Sequence, residues 1–118
     1  MAESKSHLTV KQADGVHIVG FADRKILEEL SIREIEDEIL TILDGQSGVN
    51  LLLCFKNVEH LSSAALNMLL TLNKKVTDQS GKMKLSDIAP NIFEVFRITR
   101  LNKILEIHPT TEQALGSF

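Results

Sequence analysis

Val49-Asn50-Leu51-Leu52-Leu53-Cys54-Phe55 is apolar at nearly every position. A strand with one wet face would alternate polar and apolar residues. An unbroken run belongs to a strand covered on both faces, as happens when helices flank a mostly parallel sheet. The run therefore predicts the central strand of an α/β domain. Downstream, a helical pattern starts near Ser62-Ser63, with Leu66, Leu69, Leu70 and Val76 on one side. Asn67, Thr71, Lys74, Lys75 and Asp78 fall on the other, and Gly81 suits a C-terminal cap. Lys82-Met83-Lys84-Leu85 alternates like a short strand, and Pro90-Asn91 opens a third helix holding Ile92, Phe93, Val95 and Phe96. Leu105 and Ile107 offer a last short strand. Thr110 and Gln113, after Pro109, form a capping box for a short terminal helix.

Upstream, Ser31 and Glu34 read as an S-x-x-E capping box ahead of Ile32, Ile35, Ile39, Ile42 and Leu43, a helix closed near Gly45. The stretch around Ile26 and Leu27 is ambiguous between strand and loop. Leu8-Thr9-Val10-Lys11 and Val16 to Phe21 flank Asp14-Gly15, a dipeptide suited to a tight hairpin turn, so two antiparallel strands open the chain. The resulting order, β-β-(β)-α-β-α-β-α-β-α, predicts an α/β domain with right-handed crossovers. The expected sheet is mixed, of four or five strands, flanked by amphipathic helices. It fills residues 1–118 as one domain, with residues 1–7 frayed.

At 118 residues, 43% hydrophobic and 25% charged, the chain has room for one modest core. Thirteen Lys and Arg against sixteen Asp and Glu give a net charge of −3, the wrong sign for binding nucleic acid through its phosphates. The longest apolar run is far short of a bilayer span, and the polar start Met1-Ala2-Glu3-Ser4-Lys5-Ser6-His7 lacks a signal peptide's apolar stretch. A cytoplasmic protein without membrane contact is expected. Cys54 is the single cysteine, so no internal disulfide forms, and its apolar setting reads as core.

Several chemistries find no residues to carry them. His7, His17, His60 and His108 are scattered, with neither H-x-x-x-H nor C-x-x-C spacing, so no metal is expected. Neither G-x-G-x-x-G nor G-x-x-x-x-G-K-[ST] occurs, and no nucleotide or other cofactor is expected on this chain. Leu61-Ser62-Ser63-Ala64-Ala65 lacks the glycines of a nucleophile elbow, and no activating His–Asp pair is recognisable, which sets a small serine hydrolase last among the readings. Lys56-Asn57 stands after the central strand where a receiver domain would carry its phosphoacceptor Asp. Phe93 and Phe96 read as core, His60 as a solvated loop residue, and Lys74 and Lys75 as the wet face of their helix.

What remains is two adjacent hydroxyls where a helix begins. Read alone, one of them is an N-cap. The segment, however, resembles the signature of STAS domains, the anti-sigma factor antagonist family, in which a buried strand runs into F-[IM]-[DS]-S-[SA]-G-L and an apolar helix. Leu61-Ser62-Ser63-Ala64-Ala65-Leu66 is the matching stretch, with Ala65 in place of the glycine. The resemblance extends to the N-terminal hairpin, to Gly20-Phe21-Ala22-Asp23 against a G-x-L-D-like turn, and to the Pro90 helix ending in Ile98-Thr99-Arg100-Leu101.

The resemblance implies a non-enzymatic regulator of transcription that binds an anti-sigma factor and so frees a sigma factor. Ser63 matches the serine phosphorylated by the partner, with Ser62 as the alternative acceptor. Asp23, Ser62, Ser63 and Asn67 are the implied partner-binding residues. The implied partner is an anti-sigma factor of the serine kinase type, holding ATP and Mg2+, with a PP2C-like phosphatase to reset the cycle. The competing reading is a scaffold or adaptor module in which both serines serve the helix terminus only; small α/β folds host many functions.

Overall fold

The computed structural model describes residues 8–118; the expectation of a frayed segment at residues 1–7 lies outside them. In chain order the elements are β1 (Leu8–Ala13), β2 (Val16–Phe21), β3 (Lys25–Ile26), α1 (Glu29–Leu43), β4 (Asn50–Cys54), β5 (His60–Leu61), α2 (Ser63–Asp78), β6 (Lys82–Ser86), α3 (Pro90–Ile98), a 3-10 turn (Leu101–Lys103), β7 (Glu106–His108) and α4 (Thr111–Gly116). Asp14 and Gly15 both take positive φ, 53° and 78°, the geometry of a tight hairpin turn. It sets Leu8 opposite Phe21 and Ala13 opposite Val16.

The main sheet runs β1-β2-β4-β6-β7, and every pair except β1·β2 is parallel. β4 is thus the middle strand, as its composition requires, and Leu51, Leu52 and Leu53 are each fully buried. Alternate residues serve two cores of unequal size. Leu51 and Leu53 join Val19, Leu85, Ile35, Ile39, Leu69, Leu72 and Phe96 beneath the helical layer. Leu52 points the other way, to Val16 and Ala114, with Ile18, Leu115 and Phe118 half-buried around them. The second face is covered by α4. No helix among the described residues is long and apolar enough to cross a membrane.

Four expectations are corrected. The Ser31 capping box does not form: α1 begins at Glu29, its N-cap is Glu28, and no side chain caps it. Pairing of β3 ends at Ile26, and after Leu27 and the still extended Glu28 the helix begins, two residues ahead of Ser31. Ser80, at φ 65°, and not Gly81, takes the left-handed position after α2. The Ser80 amide reaches the Thr77 carbonyl at 3.0 Å and the Gly81 amide the Val76 carbonyl at 2.8 Å, the two bonds of a Schellman motif. Gly81 is required by space instead, since a Cβ there would lie 2.3 Å from the Val49 carbonyl oxygen.

Phe96 is buried but Phe93 is 37% exposed, because Ile92 and Phe96 already fill the inward stripe of α3. Lys84, to which the alternating pattern assigned no environment, is buried. It is 5% exposed, and its ammonium donates to the Ser117 carbonyl at 2.7 Å and the Ser117 hydroxyl at 2.8 Å, pairs with Glu106 at 2.9 Å, and lies 4.7 Å from the centre of the Phe118 ring. The alternation of Lys82-Met83-Lys84-Leu85 marks two faces correctly, but the face of Lys84 is roofed by Ser117 and Phe118. Cys54 is half-buried and not fully core, with its thiol 3.5 Å from Asp87 Oδ2.

Candidate functional site

At the C-terminal end of the parallel strands, the loops after β2 and β4 are stitched together. β3 pairs in parallel with β5, Lys25 opposite His60 and Ile26 opposite Leu61. The Arg24 carbonyl accepts from the Glu59 and His60 amides at 2.7 and 3.1 Å, and the Ile26 carbonyl accepts from the Ser62 amide at 3.1 Å. Beneath this ribbon Ile26 and Val58 are buried, and the Phe21 and Phe55 rings meet at 4.8 Å between centroids. The ribbon therefore rests on an apolar floor that fixes its height over the sheet.

The two serines have different tasks. Ser62 is the N-cap of α2, extended at φ −87° and ψ 168°, and its Oγ accepts the Ala65 amide at 3.1 Å. The Ala65 amide is one of the donors that every helix start leaves free, so this hydroxyl is committed to the backbone. Ser63 is the first residue of the helix proper, exposed, and its hydroxyl has no hydrogen-bond partner among the described residues. Asn67 lies four residues on, one turn along the same face, and is also exposed. Ala65 is fully buried in the main core, so its methyl faces inward and adds nothing to the surface around Ser63.

Asp23 lies half-buried in the loop between β2 and β3, immediately before the ribbon residue Arg24. The fold thus brings the Asp23 loop to the segment leading into Ser62 and Ser63, although about forty positions separate them in sequence, while Asn67 extends the surface along α2. Beside it is a cleft of about 100 Å³ lined by Glu59, His60, Leu61, Leu66, Asn91, Ile92 and Val95. The Asn91 Nδ2 donates to the Glu59 carbonyl at 3.3 Å across this cleft. His60 is exposed, as expected, but belongs to a strand pair.

The sequence did not reveal the ribbon. Two residues per strand are too few to show a periodicity, and the pairing is non-local. It also did not reveal Asp87, which follows β6 at φ 59° and accepts from Thr111 Oγ1 at 2.7 Å and Ser86 Oγ at 2.9 Å. Partial burial pushes its carboxyl pKa up, but the hydrogen bonds from Thr111, Ser86 and Cys54, with the Lys56 charge, prevail and hold it below the usual 3.8. No group of three or more His, Cys, Asp and Glu among the described residues is placed to hold a metal ion.

Chemically, the surface offers an accessible hydroxyl at the positive end of a sixteen-residue helix. An anion there is favoured by about 0.3–1 kcal/mol. Comparison with known proteins gives this arrangement a context. The family model of the STAS domain matches residues 8–114. Over 68 residues the chain is 30% identical to the anti-sigma-B factor antagonist of Bacillus subtilis, a match covering 58% of this chain and 62% of that protein. It is 25% identical over 112 residues to BtrV of Bordetella bronchiseptica, covering 94% of this chain and 93% of the relative. In three dimensions it resembles an anti-sigma-factor antagonist (STAS) domain protein from Planctomyces limnophilus, with a TM-score of 0.84 at 19% identity over 93% of this chain and 96% of the other.

Proposed function

Since the chain belongs to the STAS domain family, we propose that it is an anti-sigma factor antagonist whose docking to a serine-kinase anti-sigma factor is switched by phosphate on Ser63. The observation that carries this reading is the division of labour between the two serines: Ser62 is committed to capping α2, and Ser63 stands exposed beside it at the helix N-terminus. Binding of the unmodified surface, formed by the Asp23 loop, Ser62, Ser63 and Asn67, withdraws the anti-sigma factor and frees its sigma factor for transcription. The chain itself catalyses nothing in this scheme and works in the cytoplasm. ATP and Mg2+ belong to the partner, and a PP2C-like phosphatase restores the hydroxyl.

The physics of the switch is local. A phosphate adds about −1.5 to −2 charges and three acceptor oxygens at the centre of the surface. The helix dipole tolerates that charge, so the fold persists while an interface shaped for a hydroxyl is lost. The burial of Ala65 supports the reading further, since the residue standing in the family's glycine position leaves the approach to Ser63 unchanged.

The test is to incubate wild type, Ser62→Ala and Ser63→Ala with the anti-sigma kinase of the same genome and ATP, and to map the phosphate by fragmentation. Phosphate is expected on Ser63 in wild type and in Ser62→Ala, and none in Ser63→Ala. Ser63→Asp should bind the kinase at least about tenfold more weakly, a loss of about 1.4 kcal/mol, and Ser63→Ala should still bind. A wild type that takes no phosphate, or a Ser63→Asp variant that binds unchanged, overturns the switch and leaves a fixed docking module.

A further inference from the structure

Asp23, Ser62, Ser63 and Asn67 are all polar, and polar groups that exchange water for a partner gain little net. Binding strength comes mainly from apolar side chains that are wet in the free molecule and seated in the complex. Two such side chains stand next to Ser63. Leu27 and Leu30 are 47% and 68% exposed.

The ribbon places the first of them. β3 and β5 pair in parallel with Ile26 opposite Leu61, and the Ile26 carbonyl accepts from the Ser62 amide at 3.1 Å. Leu27, the next residue, is therefore carried alongside the two serines. Ile26 fills the inner side of the strand, so alternation turns Leu27 outward. Leu30 lies in the first turn of α1. Seven-residue steps lead from it to Asp37 and Asp44, which face Lys75 and Gln79 of α2 across a cleft. Leu30 is thus on the side of α1 turned to α2, at the end where α2 begins. Ala64, exposed and about three turns before Lys75, is on the facing side of α2. The three draw together as an apolar strip along the edge of Ser63. Charge does not mark it out: Arg24 and Lys25 precede Leu27, Glu28 and Glu29 separate the leucines, and Arg33 pairs with Glu29 at 3.9 Å. With both signs present, a partner that covers the strip must supply an apolar recess.

We propose that Leu27 and Leu30 are the apolar anchors by which this chain holds its anti-sigma factor, and that phosphate on Ser63 acts by unseating Leu27. The inference rests on the anti-sigma reading above, with whose surface the strip is continuous, and adds which side chains carry the binding. A leucine seated in an apolar recess has lost its water. A phosphate beside it holds water whose removal is costly, whereas the unmodified hydroxyl imposes no such shell. A wet charge set against a dry contact releases the partner without any change of fold.

The test titrates Leu27→Ala, Leu30→Ala and the control Ile98→Ala/Ile104→Ala against the anti-sigma kinase of the same genome. Ile98 and Ile104 are 69% and 58% exposed but sit at the opposite end of the helical layer, because α3 runs back from the C-terminal end of β6. Each leucine variant should bind at least about tenfold more weakly than wild type, and the control should bind like wild type. During phosphorylation by that kinase the loss should appear in KM with kcat unchanged, since the anchors hold the substrate and touch no reacting atom. Ser63→Asp should weaken Leu27→Ala by a smaller factor than it weakens wild type, the sign of a shared contact. Circular dichroism and thermal midpoints should match wild type, as suits exposed truncations. Leucine variants that bind like wild type while Ser63 still takes phosphate, or a control that loses as much as they do, overturn the anchors and leave the switch standing. An equal Ser63→Asp factor in both backgrounds overturns the unseating of Leu27. A wild type that takes no phosphate overturns the switch reading itself, and this proposal with it.

Discussion

Ser80 and Gly81 exchange the roles that composition alone assigns to them. The left-handed turn that closes α2 falls on a serine, where an L side chain is strained by roughly 1–2 kcal/mol, and the glycine follows it with negative φ. Ser80→Gly relieves that strain but loosens the unfolded chain by about 0.5–1 kcal/mol, so a gain of up to about 1 kcal/mol is expected in denaturant melts. Gly81→Ala drives a methyl into the Val49 carbonyl at the entry to β4 and should lose about 1–3 kcal/mol in the same measurement. The serine pair at the other end of α2 gives a parallel contrast. Ser62→Ala removes a cap and should cost about 0.5–2 kcal/mol. Ser63→Ala touches no hydrogen bond and should stay within about 0.5 kcal/mol of wild type. The pair's position at a helix start was legible from spacing, because apolar residues begin their 3.6 period just after it. Which hydroxyl does the capping was not, since Ser62 and Ser63 are chemically identical and differ only in backbone angles.

At the scale of elements, α4 shows how a short helix is held. Six residues are too few to stand without docking, and its apolar anchorage is Ala114 with half-buried Leu115 and Phe118. Polar clamps close both ends. Thr111 binds Asp87 at the N-terminal end, and Lys84 grips Ser117 and Phe118 beyond the C-terminal end. Lys84→Met keeps the stem but loses the donors, so about 1–3 kcal/mol of docking is expected to go. Cys54 reports the event, because its thiol lies 3.6 Å from Thr111 Oγ1 and becomes accessible when α4 lifts. A thiol-specific disulfide reagent should label Lys84→Met and Asp87→Asn several-fold faster than wild type; equal rates would show that the clamps hold nothing. Acid should release the same element. Hydrogen bonds from Lys84 and then His108 outweigh burial and, with their charges, hold the Glu106 carboxyl below its usual 4.5, and Asp87 is held below 3.8. Groups with lowered pKa stabilise the fold fully above those ordinary values, and the contribution vanishes as pH falls through the lowered ones. Cys54 labelling in wild type should therefore stay flat from pH 7 to about 5, once corrected for thiolate fraction, and rise below about 4. None of this was legible beforehand, because a lysine in an alternating strand looks the same whether water or a distant segment such as Ser117–Phe118 covers it.

For the molecule as a whole, the sheet order follows from composition and crossover handedness, since only a strand buried on both faces can carry the Leu51-Leu52-Leu53 run. The sheet, expected with four or five strands and found with five, the hairpin and helices α1 to α3 were legible from their patterns, and the six-residue α4 from its Thr110–Gln113 capping box. The β3·β5 ribbon, which brings Asp23 toward the serines, was not, because two-residue strands carry no pattern and their partner lies far along the chain. Leu52 tests the architecture most directly. It is fully buried yet belongs to the smaller core, where Val16 and Ala114 are its buried neighbours and, among the described residues, α4 is the roof. Truncation deletes buried methyl groups under a helix that depends on them, so Leu52→Ala should lose about 2–5 kcal/mol, a large share of the 5–15 kcal/mol typical of a domain this size. Lys75→Ala, on the exposed face of α2, should stay within about 0.5 kcal/mol of wild type. Urea midpoints separate the two outcomes, and amide exchange locates the loss. If the second face is an integral core, Leu52→Ala shifts every slow amide of β2, β4 and β6 together. Faster exchange confined to α4 would instead make that helix a separately melting cover, and equal midpoints for the two variants would overturn the assignment of Leu52 to the interior.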